Sequence, residues 1–137
     1  MTDGGTERAA LVAYRLERAR EALVEADTLA EMGHWNTCVN RLYYACFYAV
    51  SATLLTRGLA SPKHTGVRSL FNRELVRPGH VAAHHGALFN TLLESRQDGD
   101  YEDLVRFAEQ EVRPWLSQAR DFVTALQMLA EAGAENR

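Results

Sequence analysis

No stretch of this 137-residue sequence approaches the ~20 consecutive apolar residues that a membrane span needs. Its first ten residues, MTDGGTERAA, are polar and hold no signal-peptide core, so the expected compartment is the cytoplasm. Basic residues do not dominate. Fifteen Lys and Arg against eighteen Asp and Glu leave a net charge of −3. That balance excludes a surface that coats nucleic acid broadly, though not a small local basic site. There is no run of alternating polar and apolar residues to mark a strand, no internal repeat and no low-complexity tract. Cysteine is sparse. Cys38 and Cys46, the two present, fall on one predicted helix roughly 12 Å apart, beyond the reach of an intrachain disulfide. They read as buried, reduced thiols.

What the sequence does have is 47% hydrophobic residues, enough for the core of one domain. The densest stretch is Asn40 to Leu55, NRLYYACFYAVSATLL, with Arg41 as its single charge. Leu42, Tyr43, Cys46, Phe47, Val50 and Leu54 recur at helical spacing, and Tyr44, Ala45, Tyr48, Ala49 and Ala52 make most of the remaining circumference apolar. A helix apolar nearly all round is a central helix, covered on more than one side.

The other segments arrange themselves around it. A frayed start is expected over residues 1–5, a helical bundle over 6–132 and a frayed end over 133–137. Thr6 is placed to cap a first helix reaching about Met32, with Val12, Leu16, Ala19, Leu23, Ala26 and Ala30 as its stripe and Gly33 as its stop. The short turn at His34–Asn36 makes this helix and the central one an antiparallel hairpin. Ser61-Pro62 signals the start of a third helix, carrying Val67, Leu70, Phe71 and Leu75 inward to a break at Pro78-Gly79. A fourth spans about Val81 to Arg96, followed by a turn at QDGD. The last segment runs from near Tyr101 to Ala132, with Pro114 kinking it or marking its true start. The expected fold is all-α, a single-domain up-down bundle of about five helices with one long antiparallel pair.

Four motifs stand in order along this chain: RLYYACFYAVSATLLTRGL, KHTGVRSLFNRELVRPG, LFNTLLESRQDGDYEDL and QARDFV. Together they resemble the signatures of HEPN domains, in the subgroup of small stand-alone HEPN proteins. The resemblance implies a helical bundle that dimerises and an RNA-cleaving toxin or defence effector. It also implies a minimal nucleotidyltransferase partner that acts as antitoxin. It implies no cofactor and no metal.

In catalytic members an Arg is followed, after four to six residues, by a His. The guanidinium holds a phosphate bidentately and the imidazole moves protons near neutral pH. Arg96 stands at the Arg position with Gln97 after it, but no His follows; the chain reads Tyr101, Glu102, Asp103. Tyr101 is a poor base at neutral pH. If the protein is an enzyme, the resemblance implies a metal-independent endoribonuclease, and the missing His leans against it. The same Arg-to-His spacing recurs at Arg57–His64, Arg73–His80 and Arg77–His84, each across a Pro or Gly break, so spacing alone carries little.

Arg96 and Tyr101 are therefore the candidate catalytic residues. Arg96 also reads as an exposed helix-end Arg pairing with Asp98 or Asp100, and Tyr101 as an aromatic plug packing the turn, or as a residue for nucleotide stacking or for modification by the nucleotidyltransferase. Lys63, His64 and Arg68, in or beside the first turn of the third helix, join Arg96 and Gln97 as candidate phosphate contacts, with Thr65 between them, because free N–H groups there favour anions. His80, His84 and His85 lack a third ligand, and His85 falls on an apolar stripe, so no metal is assigned. Arg41 needs an ion pair from Glu25, Asp27 or Glu31. Tyr43, Tyr44, Phe47 and Tyr48 read as core and dimer packing. Two functions compete: a phosphate-binding component of a toxin–antitoxin or defence module, and a non-catalytic helical module that docks a partner protein.

Overall fold

A computed structural model describes residues 3–135. Five α-helices follow one another: α1 (Asp3–Glu31), α2 (Trp35–Thr56), α3 (His64–Phe71), α4 (Ala83–Tyr101) and α5 (Glu109–Glu135). Among the described residues there is no strand, and no helix is long and apolar enough to cross a membrane.

The core is built around α2. Cys38, Val39, Leu42, Tyr43, Ala45, Cys46, Ala49 and Val50 are fully enclosed, as an all-round apolar helix requires. The face of α1 that meets it is made of Ala19, Ala22, Ala26 and Ala30, all buried. Small side chains let two helix backbones approach closely, and the Cys38 thiol donates across the gap to the Ala26 carbonyl at 3.4 Å. Of the expected stripe, Leu23 is only half-buried and Ala22 takes the inward place. Polar ties fix the register. Arg41 pairs with Glu25 at 3.2 Å, and Arg120 on α5 pairs with Asp27 at 2.9 Å. The Thr53 hydroxyl lies 2.9 Å from the Ala49 carbonyl and 3.0 Å from that of Leu126, joining α2 to α5.

Several boundaries differ from the sequence reading, each for a local reason. Helix α1 begins at Asp3, so Thr6 lies inside it rather than at its cap. Ser61 and Pro62 precede α3 without entering it; the Ser61 hydroxyl accepts the Lys63 N–H at 3.3 Å, and Lys63 is the extended residue before the helix. Beyond Phe71 the chain widens into a π-helical turn, Asn72–Val76, closed by Arg77 N–H to the Asn72 carbonyl at 2.9 Å, with Leu75 still buried. Helix α4 does not stop at Arg96. It absorbs the expected QDGD turn because Asp100 finds partners on its own helix and on α2: Arg96 at 3.7 Å and Asn40 at 3.0 Å. Gly99 suits the spot, since a Cβ there would stand 2.9 Å from the Phe107 ring. Pro114 lies within α5. The helix starts five residues earlier, so Pro114 removes a single early hydrogen bond instead of ending the element.

Close packing at the α1–α2 seam gives a direct test. Ala26→Leu is expected to cost about 1–3 kcal/mol by overpacking, whereas Val24→Ala, 65% exposed on the same helix, stays within about 0.5 kcal/mol. Urea denaturation of the two variants checks both.

Candidate anion site at the junction of α2, α3 and α4

Tyr43 holds this site together. It is fully buried on α2, stacked against Phe89 with ring centroids 5.8 Å apart. Phe89 in turn meets Phe71 at 5.1 Å and Phe122 at 5.8 Å, so an aromatic column fixes the Tyr43 ring. On the ring face lies the Arg96 guanidinium, 4.9 Å from the centroid, and the same group stands 5.6 Å from the Tyr44 centroid. Cation–π contacts of this kind contribute about 0.5–2 kcal/mol each.

Arg96 is 7% exposed. Its Nε is enclosed and meets no hydrogen-bond partner, and Asp100 touches Nη1 at a loose 3.7 Å. A buried cation normally gathers acceptors around it. Here a guanidinium with five donors is served by two aromatic faces and one off-centre carboxylate.

The second group at Tyr43 is His64, the first residue of α3. Its Nδ1 lies 2.7 Å from the Tyr43 hydroxyl, and its ring stacks on Phe47 at 4.4 Å with 12° between the planes. Burial pushes the phenol's pKa well up, so Tyr43 keeps its proton and is the natural donor to Nδ1. That assignment places the imidazole's own proton on Nε2. Burial, and then the charge of Arg96, push the His64 pKa below its ordinary 6.5. Arg96 and His64 therefore act on one another electrostatically, with one phenol between them.

The structure thus brings two of the candidate phosphate contacts, Arg96 and His64, to one tyrosine. The others are dispersed. Gln97 and Lys63 are exposed, and Arg68 leans toward Glu94 at 3.9 Å. Tyr101 is 77% exposed. It stands out from the end of α4 instead of plugging the turn. Arg96 does meet Asp100, as one expectation had it, but it is buried and not at a helix end, because α4 continues past it. Tyr43 was missed as a site residue and assigned to packing alone. It does pack, but its hydroxyl and ring face both carry polar duty. Its lead in the sequence was the adjoining pair Tyr43-Tyr44 beside the sole charge of the helix.

His84 and His85 stand beside a separate cavity of about 270 Å³, lined also by Trp115, Gln118 and Asp121. His85 is buried edge-on against Phe122, and its pKa is lowered by burial and then by His84, with Asp121 opposing. Among the described residues no group of three or more His, Cys, Asp or Glu could hold a metal ion.

The described residues form an all-α bundle of five helices, with the aromatic-backed Arg96 on the fourth. The HEPN domain model matches residues 12–129, and the chain belongs to that family. It is 42% identical over 91% of its length to a Thermotoga maritima "UPF0332 protein", covering 95% of that relative. It is also 27% identical over 79% of its length to the Methanocaldococcus jannaschii "Putative toxin MJ0142", covering 74% of that chain. A second protein of that organism, "Putative toxin MJ0605", is 34% identical over 63% of this chain and 64% of its own.

Two neutral, partly enclosed histidines give a pH dependence. In the unfolded chain each takes a proton near 6.5, while the folded chain holds His64 and His85 neutral to lower pH. The unfolded state binds more protons in that window, so stability falls as pH drops below about 6.5. The urea midpoint should be lower at pH ~5.5 than at pH ~7.5, and His85→Gln should flatten the slope between them.

Proposed function

We propose that this HEPN protein is the RNA- or nucleotide-phosphate-binding component of a toxin–antitoxin or defence module, with Arg96 as its phosphate contact. The observation that carries the reading is the state of Arg96: nine-tenths buried, aromatic on two sides, and with Nε unpartnered. Burying a cation costs several kcal/mol unless its hydrogen bonds are met. A phosphate oxygen is the acceptor a guanidinium fork fits best. The relatives named as toxins support the biological setting. In the proposed arrangement the protein works in the cytoplasm as a homodimer, and a minimal nucleotidyltransferase restrains it. Tyr101, exposed at the end of α4, is open to such a partner.

The adaptor reading draws on a different feature. Leu104 is 99% exposed and holds a left-handed backbone at φ 68°, an arrangement that wastes a large apolar side chain unless something covers it. Loss of partner binding in Leu104→Ser, with RNA binding absent in the parent, would favour that reading.

The test of the phosphate reading separates function from folding. Replacing a buried charge by an apolar side chain of similar volume is often neutral or stabilising. Arg96→Met is therefore expected to unfold at an equal or higher urea concentration. It should lose about tenfold or more of the affinity for single-stranded RNA, and any growth arrest on induction should disappear. A destabilised Arg96→Met that still binds RNA like the parent would make Arg96 structural and overturn the proposal.

A further inference from the structure

Several titratable and charged groups face His64. From α2 the imidazole meets the phenols of Tyr43 and Tyr44; from α4 it feels Arg96, with Asp100 behind it. On its own element, Lys63 precedes it and Arg68 follows one turn on, the latter turned toward Glu94. In the free protein Arg96 and Asp100 cancel, and His64 is neutral. A singly charged phosphodiester would thus enter a site with no net charge of its own. It also offsets the smaller of the two influences that hold His64 unprotonated, the Arg96 guanidinium, while burial, the larger one, remains.

We infer that His64 is the second half of this anion site, and that a phosphodiester seated on Arg96 is bound together with one proton, which the His64 imidazole takes up. The inference rests on the reading of Arg96 as a phosphate contact and adds to it the partner residue, the charge balance and the acid dependence. His64 sits where the role demands. Phe47 holds its ring plane and Tyr43 fixes Nδ1, while the first-turn amides of α3 precede its first internal bond, Val67 N–H to the Lys63 carbonyl at 3.0 Å. The Nε of Arg96, enclosed and without a hydrogen-bond partner, is the observation this inference shares with the phosphate reading. Protonated His64 adds the positive charge that Asp100 otherwise cancels, so the loaded site is neutral overall.

Linkage gives the sign. Between the pKa of His64 in the complex and its lower value in the free protein, binding takes up a proton, and affinity rises as pH falls, by at most about tenfold per pH unit. Outside that window the affinity is flat. The experiment uses the whole chain and a short uridine oligoribonucleotide with hydroxyl ends, whose own charge does not change near neutrality. Its binding is measured at constant ionic strength from pH ~7.5 to ~5.5. The histidine ring signals are followed by NMR with and without the oligomer.

The expected result is tighter binding toward acid, with the His64 titration moved to higher pH in the complex and that of His85 left in place. His64→Gln should lose the pH dependence and bind about as weakly at pH ~5.5 as at ~7.5. Arg96-dependent binding whose affinity is flat with pH, with an unmoved His64 titration, would overturn the proton coupling while sparing the phosphate site. An oligomer that does not bind at any pH would overturn the phosphate reading itself. The ring signals make the decision in the unmutated protein, so the outcome does not hang on the variant's folding.

Discussion

The burial of most of α2 is the constraint from which the rest of the bundle follows, with Tyr44, Phe47 and Tyr48 left only half-buried. A helix with one charged residue in its central stretch must be covered by three neighbours. The chain supplies α1 through an alanine face, α5 through Phe122, Val123 and Leu126, and α4 with α3 through the aromatic column at Phe89 and Phe71. Each cover uses a different packing device. The alanine face brings backbones together, the aromatic column spans a wider gap, and Thr53 adds a polar tie where α5 comes close. The polar groups of α2 then lie where these covers meet: Arg41 at the α1 edge, and the Tyr43 hydroxyl at the junction with α3 and α4.

That junction shows how a packing residue acquires chemistry. Tyr43 is large enough to fill the core and long enough for its hydroxyl to reach the boundary with His64. Its ring face, electron-rich and rigidly held, accepts the Arg96 guanidinium that would otherwise be an expensive burial. The imidazole and the guanidinium do not share a helix and need no fixed spacing in the chain. Two elements crossing over one aromatic residue place them.

The fold was legible because its signals are local and repeated. Apolar spacing marked α2, the alanines marked the partner face of α1, and the lone Arg41 foretold an ion pair that Glu25 supplies. The site was legible only in pieces. Arg96 stands out, with Asp98 or Asp100 as its expected partner and Asp100 the one it meets, but QDGD carries turn residues, and nothing local reveals that Asn40 would also hold Asp100 or that Gly99 would make room for Phe107. His64 was also singled out, as a first-turn residue near Lys63 and Arg68. Its meeting with Arg96 depends on the crossing of α3 over α2, which is tertiary information. The π turn after Phe71 escaped for the same reason, since Leu75 keeps the apolar pattern whether the turn is tight or wide.

The two cysteines bear on the protein's behaviour toward oxidants. Cys38 and Cys46 sit on the enclosed side of α2, and burial holds the Cys38 thiol up to about 11 and the Cys46 thiol higher still. Thiolate is the species that peroxides and alkylating reagents attack. In the native bundle both sulfurs are therefore chemically silent, and neither finds a partner for disulfide exchange. Reagent reaches them only when α2 parts from its covers. The rate at which they are modified is a clock for opening of the central helix, carried by the protein in its own side chains.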